Sequence, residues 1–185
     1  MSGKRFKMAA LILASVIVSA AIALYFLRTR PTGMAAIQAL IRHTFPEVSQ
    51  LSTADLASRL ALPGEFAPVL VDVRSEEEYA VSHLKGAHRV DPEGDPNAVL
   101  AGVAKDAEIV AYCSVGYRSA KFARALQKSG FTRVSNLEGS IFKWANEGRQ
   151  IYNESTEVHS VHPYDETWGE LLQPQLRADL RKTKE

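Results

Sequence analysis

Apolar residues fall into two kinds of run along this chain. The first is a single stretch, Met8 to Leu27, of 20 residues without a charged side chain. As a helix it would be about 30 Å long, enough to cross a hydrocarbon core. It is apolar on every face, unlike the helix of a globular domain's surface. The second kind is short, β-branched and repeated. Val69-Leu70-Val71-Asp72-Val73, Ala87 to Val90, Glu108 to Cys113 and Phe131 to Leu137 have the character of strands buried on both faces. Helix signals lie between them. Ser52, with Asp55 three residues on, caps a segment carrying Leu56 and Leu60, which Pro63-Gly64 ends. Ser75 and Glu78 form a capping-box pattern, and Gly86 stops the short helix they begin. Pro96 to Val103 reads as a helix. Another runs from about Tyr117 to Ser129, closed by Gly130, and a third from Gly139 to Glu147, closed by Gly148. Strands alternating with helices predict an α/β fold, a parallel sheet with helices on both faces, preceded by one transmembrane helix.

Lys4, Arg5 and Lys7 precede the long run, while Arg28 and Arg30 come after it. A cleaved signal peptide is the competing reading, with Ala21-Ile22-Ala23 as its cleavage site. Its apolar core would be shorter, roughly 7–15 residues, and here Leu24-Tyr25-Phe26-Leu27 continue past that site. The pattern favours a retained, single-pass membrane anchor. The small excess of positive charge ahead of the run puts the N-terminus in the cytoplasm and the domain on the non-cytoplasmic side. The expected organisation is a basic flank at 1–7, the anchor at 8–27, a juxtamembrane linker at 28–50 with a short helix-like stretch at Ala35 to Ile41, an α/β domain at 51–152 and a C-terminal extension at 153–185.

Composition changes this picture little. Hydrophobic residues make up 46% and charged residues 23% of the chain, ordinary for a globular protein. A net charge of +1 gives no support for a nucleic-acid partner. The one cysteine, Cys113, forbids an intramolecular disulfide. It is either a small buried hydrophobe or a chemical tool, and its surroundings decide.

Those surroundings are Tyr112-Cys113-Ser114-Val115-Gly116-Tyr117-Arg118-Ser119. Cys113 ends an expected strand just before an expected helix, where open α/β sheets bind ligands. A loop there can aim several backbone N–H groups at one spot, and Gly116 lets it curl. The next helix adds the positive end of its dipole. Such a cradle, formed by the N–H groups of Ser114, Val115, Gly116, Tyr117 and Arg118, binds anions and favours a thiolate over a thiol. Arg118 can clamp an oxyanion with its planar fork, and Ser119 can donate a further hydrogen bond. A thiolate so placed attacks the outer sulfur of a small anionic donor such as thiosulfate, and sulfite leaves. The resulting Cys113 persulfide passes its sulfur to a thiol or to cyanide. The scheme calls for no cofactor and no metal.

With these residues in view, the chain from about Leu51 to Tyr152 resembles the rhodanese family. Val71-Asp72-Val73-Arg74 with Glu78 and Tyr79 resembles that family's Asp-x-Arg segment. His83-Leu84-Lys85-Gly86-Ala87 resembles its His-x-x-Gly-Ala motif. Cys113 to Arg118 resembles its active-site loop, and Leu137-Glu138-Gly139 with Trp144 the segment near the domain's end. The resemblance implies a sulfurtransferase in which Asp72 and Arg74 support the loop scaffold. The loop from Cys113 to Arg118 has six residues; related phosphatases and arsenate reductases carry one more, so the resemblance disfavours phosphate chemistry. Two positions depart from the family. Ser114 replaces a basic residue common in thiosulfate-using members, which weakens attraction for a dianion. Ser140 replaces a second glycine and is expected to affect local packing.

Other residues have plainer readings. Glu78 is expected as a cap, His83 as a turn anchor and Trp144 as a core residue. Lys121, Arg124 and Lys128 form a basic stripe expected to face solvent. His159 and His162 could suggest a metal, but no cysteine or further histidine is near in sequence; Val161 to Leu172 is expected to pack against the domain. A non-catalytic binding or scaffold module at a membrane remains the rival reading, although a pure scaffold needs neither Cys113 nor Arg118.

Overall fold

The computed structural model describes residues 33–62 and 67–180, within a compact unit Gly33–Glu185. The expected anchor at 8–27, its basic flank and the Pro63-Gly64 helix stop lie outside the described residues. Among the described residues no helix is long and apolar enough to cross a membrane.

Five parallel strands form the sheet: β1 (Ser49–Leu51), β2 (Val69–Asp72), β3 (His88–Arg89), β4 (Glu108–Tyr112) and β5 (Arg133–Leu137). Their spatial order is β1-β5-β4-β2-β3, so β4, which delivers Cys113, lies at the centre. The helices are α1 (Gly33–Thr44), α2 (Thr53–Leu60), α3 (Glu76–Val81), α4 (Pro96–Val99), α5 (Tyr117–Lys128), α6 (Ser140–Asn146) and α7 (Glu166–Gly169). Alternate residues of β4 serve opposite faces. Ile109, Ala111 and Cys113 join a core with Ile41, Phe45, Phe122 and Leu126 from the α1 and α5 side. Val110 and Tyr112 join a second core with Leu56, Ile141, Phe142 and Trp144 from the α2 and α6 side. Burial on both faces explains why these strands read as continuous apolar runs.

Several local expectations appear in the structure. Ser52 caps α2 by accepting from the Asp55 N–H, and Ser75 with Glu78 forms a reciprocal capping box on α3. Gly130 follows α5 with φ +91°. Others differ. The helix expected to reach Val103 is α4, which ends at Val99 because Leu100 leaves helical geometry and Gly102 turns at φ +84°. The stretch expected as a linker holds α1 and the edge strand β1, with Ile41, Phe45 and Val48 buried. Beyond α6, β6 (Ile151–Asn153) and β7 (Thr156–Val158) form an antiparallel hairpin. Val161 and Leu172 of the C-terminal extension are buried in the second core.

Asp72 and Arg74 are both fully buried, and they couple the ends of β2 and α3. The Arg74 Nε donates to Asp72 Oδ1 at 2.9 Å and Nη2 donates to Oδ2 at 2.7 Å. Nη2 also donates to the Ser82 carbonyl at 2.5 Å. Burial works against the guanidinium charge, but Asp72 beside it more than compensates and holds Arg74 protonated beyond its ordinary range. Removing one partner leaves an uncompensated charge in the core. Asp72→Ala is therefore expected to cost about 3–5 kcal/mol in a urea-unfolding measurement; a loss below about 1 kcal/mol, as for an exposed pair, would contradict it.

Candidate active site

Cys113 sits one residue past β4 and three before Gly116, the residue that opens α5, and is 1% exposed. The loop is oriented by α6. The first N–H groups of a helix have no intrahelical acceptor, and here those of Ile141 and Phe142 donate to the carbonyls of Cys113 and Ser114 at 3.2 and 3.1 Å. With the carbonyls of Cys113 and Ser114 held by α6, the Ser114 and Val115 N–H groups turn away from that helix. Gly116 N–H donates to Cys113 Sγ at 3.1 Å. Gly116 is also the N-cap of α5 with φ +110°, and no side chain caps that helix. A Cβ there would lie 3.3 Å from both Asn136 Nδ2 and Ile41 Cδ1, a tight contact, and the positive φ is what calls for glycine. The positive end of α5, a helix of 12 residues, is thus directed at the sulfur.

The remaining predicted residues divide. Val115, Tyr117 and Arg118, with Ser114, line a cavity of about 360 Å³ that reaches Cys113. Ser114 is buried, and its hydroxyl turns to Glu78, donating to Oε1 at 2.8 Å. Ser119 does not serve as a loop donor: it is fully buried and donates to Asn136 Oδ1 at 2.6 Å. As the third residue of α5 it faces the sheet rather than the cavity. Asp72 and Arg74 stand in the core as support for the strand ends. His83 anchors a turn, stacked on Tyr79 with ring centroids 4.0 Å apart. Trp144 donates from Nε1 to the Gln150 carbonyl at 2.9 Å and is otherwise core. In the basic stripe, Arg124 is no solvated charge: it pairs with Glu47 and donates to the Thr44 carbonyl, tying α5 to the end of α1.

Glu78 has a larger part than a cap. Its carboxylate receives Arg118 in a fork, Nη1 to Oε2 at 2.8 Å and Nη2 to Oε1 at 2.7 Å. It also accepts from the Ser75 N–H at 3.0 Å. Burial alone would push this carboxyl up, but the paired Arg118, the Ser75 N–H and the Ser114 hydroxyl outweigh it and bring the pKa down to about 2 from the ordinary 4.5. The predicted oxyanion clamp is therefore already occupied by an internal carboxylate. Nothing local signals this, since Glu78 and Arg118 are 40 residues apart.

Ser140 also goes beyond local packing. It is fully buried at φ +51°, and its Oγ accepts from the Cys113 N–H at 3.1 Å while donating to the Leu137 carbonyl at 3.2 Å. A glycine there would leave the Cys113 N–H without this partner. Ile37 and Leu40 of α1, with Tyr164 and Trp168 near α7, complete the cavity walls. No periodicity or motif in the sequence points to these four.

The Glu78 pKa sets a pH dependence. A carboxyl depressed on folding stabilises the fold above its unfolded pKa, and that contribution is lost as pH falls through the folded value. Between pH 4.5 and 2, the thermal midpoint of the native chain is expected to fall more steeply than that of Glu78→Gln. Parallel curves for the two proteins across this window would sink the assignment.

A sequence model of the family described as Rhodanese-like domain matches residues 52–147, just over half of the chain. A tRNA uridine(34) hydroxylase from Enterobacter sp. (strain 638) is 30% identical over 115 residues, which is 60% of this chain and 33% of that protein. The chain thus spans about a third of the length of the curated relatives it matches. Among solved structures, a rhodanese-like domain protein from Staphylococcus aureus is 27% identical with a TM-score of 0.50, over 58% of this chain and all of that one. A protein of unknown function and possible tyrosine phosphatase from Rhodopseudomonas palustris is 25% identical with a TM-score of 0.51, over 67% and 97%. The matched segment contains the strand-end cysteine, its N–H loop and the helix beyond, and the chain belongs to the rhodanese-like domain family.

Proposed function

We propose that this protein is a sulfurtransferase that carries sulfane sulfur as a persulfide on Cys113. The observation that carries the reading is the Gly116 N–H pointed at Cys113 Sγ from the open N-terminus of α5. The Cys113 thiolate attacks the outer sulfur of an anionic or persulfidic donor; the donor's sulfur–sulfur bond breaks and its electron pair leaves with the donor fragment. The terminal sulfur of the Cys113 persulfide then sits at the same N–H groups and helix end. A thiol or cyanide attacks that terminal sulfur and returns Cys113 to the thiolate. The scaffold alternative gives no role to an N–H cradle around a cysteine.

Phosphatase chemistry is the second reading, suggested by the name of the Rhodopseudomonas relative. It requires Arg118 to grip a phosphoryl dianion, and here Arg118 is forked to Glu78. The six-residue loop also leaves one residue fewer for that group. The hydroxylase named among the relatives is about three times the length of the matched segment. Its activity does not follow for this chain from that segment alone.

The apolar run at Met8 to Leu27 supports a single-pass tether that carries the domain on the non-cytoplasmic face. Protease added to sealed vesicles tests this. The domain is expected to survive in inside-out vesicles and to be cut in right-side-out ones; the reverse pattern would overturn the orientation.

Sulfur transfer from thiosulfate or a low-molecular-weight persulfide to cyanide, followed by mass spectrometry of Cys113, tests the activity. The native chain is expected to gain one sulfur and turn over, and Cys113→Ser to do neither. Absence of the added sulfur from every donor would move the assignment to the scaffold module.

A further inference from the structure

The walls of the Cys113 cavity do not match a small dianion. Among the described residues the exposed large apolar side chains are Leu40, Leu62, Tyr117, Tyr164 and Trp168. All but Leu62 line a cavity that reaches Cys113. Exposed apolar side chains scattered over a surface need no explanation, but their gathering around a nucleophile marks a surface that a ligand covers. Leu40 with Ile37 comes from before the segment that matches the family, and Tyr164 with Trp168 from after it. These walls lie outside the segment that the family model matches.

Electrostatics point the same way. Arg118 is the cation of the loop, and Glu78 cancels it in a two-point fork. On the other side of Arg118, a second cavity of about 640 Å³ is lined by Glu77, Glu78, Asp165 and Glu166. A donor with two negative charges reaching Arg118 finds that guanidinium already matched by Glu78, and Ser114 adds no positive charge next to the cysteine. Of the carboxylates lining the second cavity only Glu78 is buried; Glu77, Asp165 and Glu166 are exposed and screened by solvent, so the paired Glu78 carries the electrostatic effect.

We propose that the segments flanking the family core make the site selective for sulfur donors with an aromatic or similarly apolar body and no more than one negative charge, with Glu78 and the Leu40–Trp168 walls as specificity determinants. The proposal rests on the sulfurtransferase reading and names its substrate class. With an arenethiosulfonate, the Cys113 thiolate attacks the terminal sulfur. The bond between that sulfur and the sulfonyl sulfur breaks, and its electron pair leaves on the arenesulfinate. One anionic persulfide and one sulfinate form from one thiolate and one thiosulfonate, with no oxidant or reductant needed. The ring lies among Leu40, Tyr164 and Trp168, and Tyr117 is held by an edge-on contact with Phe45 at 5.3 Å.

The test is the ratio of kcat/KM for benzenethiosulfonate to that for thiosulfate, measured on the purified full chain and on variants. Because the two donors differ in intrinsic reactivity, the change in the ratio between proteins carries the result. The double variant Leu40→Gln, Trp168→Gln is expected to lower it by about tenfold, the scale of losing one buried apolar contact surface. Glu78→Gln is expected to lower it too, by releasing Arg118 toward the dianion, whereas Leu62→Gln, on a remote surface, leaves it unchanged. A ratio that stays within about twofold of native in both site variants, with thiosulfate turnover intact, overturns this specificity and spares the sulfurtransferase reading. If neither donor places sulfur on Cys113, both readings fall.

Discussion

Two backbone hydrogen bonds govern the chemistry of this protein. The N–H groups of Ile141 and Phe142 hold the carbonyls of Cys113 and Ser114, and a peptide unit whose carbonyl is fixed outward has its N–H pointing inward. The start of α6 therefore orients the first two peptide units of the loop, and the N–H of Gly116, one unit further on, reaches the sulfur. That start is fixed in turn by β5, which ends at Leu137 beside β4 in register, Ile109 opposite Val134 and Ala111 opposite Asn136. Sheet pairing sets the helix, and the helix sets how the first peptide units of the loop are turned. Ser140 adds a side-chain link to the same chain of constraint through the Cys113 N–H.

Glu78 adds a second constraint from the opposite edge. One carboxylate closes the capping box of α3, receives the Ser114 hydroxyl and forks onto Arg118. A buried carboxylate left alone would be costly; with three sets of donors it stays ionised and fixes three elements at once. The consequence is a site whose cation is internally balanced. The anion-stabilising capacity that remains is that of the backbone and the α5 dipole, which is suited to one sulfur-centred charge and less to a dianion.

Much of the fold was legible because it is written in local patterns. A strand buried on both faces leaves a run such as Val69 to Val73, and a helix start leaves Ser52 with Asp55 or Ser75 with Glu78. The cysteine loop was legible for the same reason, since its residues are contiguous. What sequence could not show depends on distance. The Glu78–Arg118 fork joins residues 40 apart, so Glu78 displayed only its capping role and Arg118 looked free. Ser119 looked like a loop donor until α5 turned it toward Asn136. Strand β1 is three residues long, too short for alternation to register. Helix α1 was visible only as the apolar stretch Ala35 to Ile41 in a segment read as linker, because its partners, the loop and α5, are far away in sequence.

The division between legible and illegible parts tracks the bounds of the family match, residues 52–147. The core that holds Cys113 is carried by short-range signals and by motifs shared across the rhodanese-like domain. The walls above it come from α1 and from the extension after β7, which lie outside the matched segment and reach the site only through tertiary packing. Ile41 buries against Gly116 from one side while Arg118 stacks at 5.0 Å beneath the Tyr164 ring from the other. A thiolate cradle by itself accepts many sulfur donors, so selectivity has to come from what encloses it. In this chain the enclosure is apolar and its nearest cation is already paired, so under the proposed sulfurtransferase reading the flanking segments, and not the shared chemistry of the loop, select the donor that reaches Cys113.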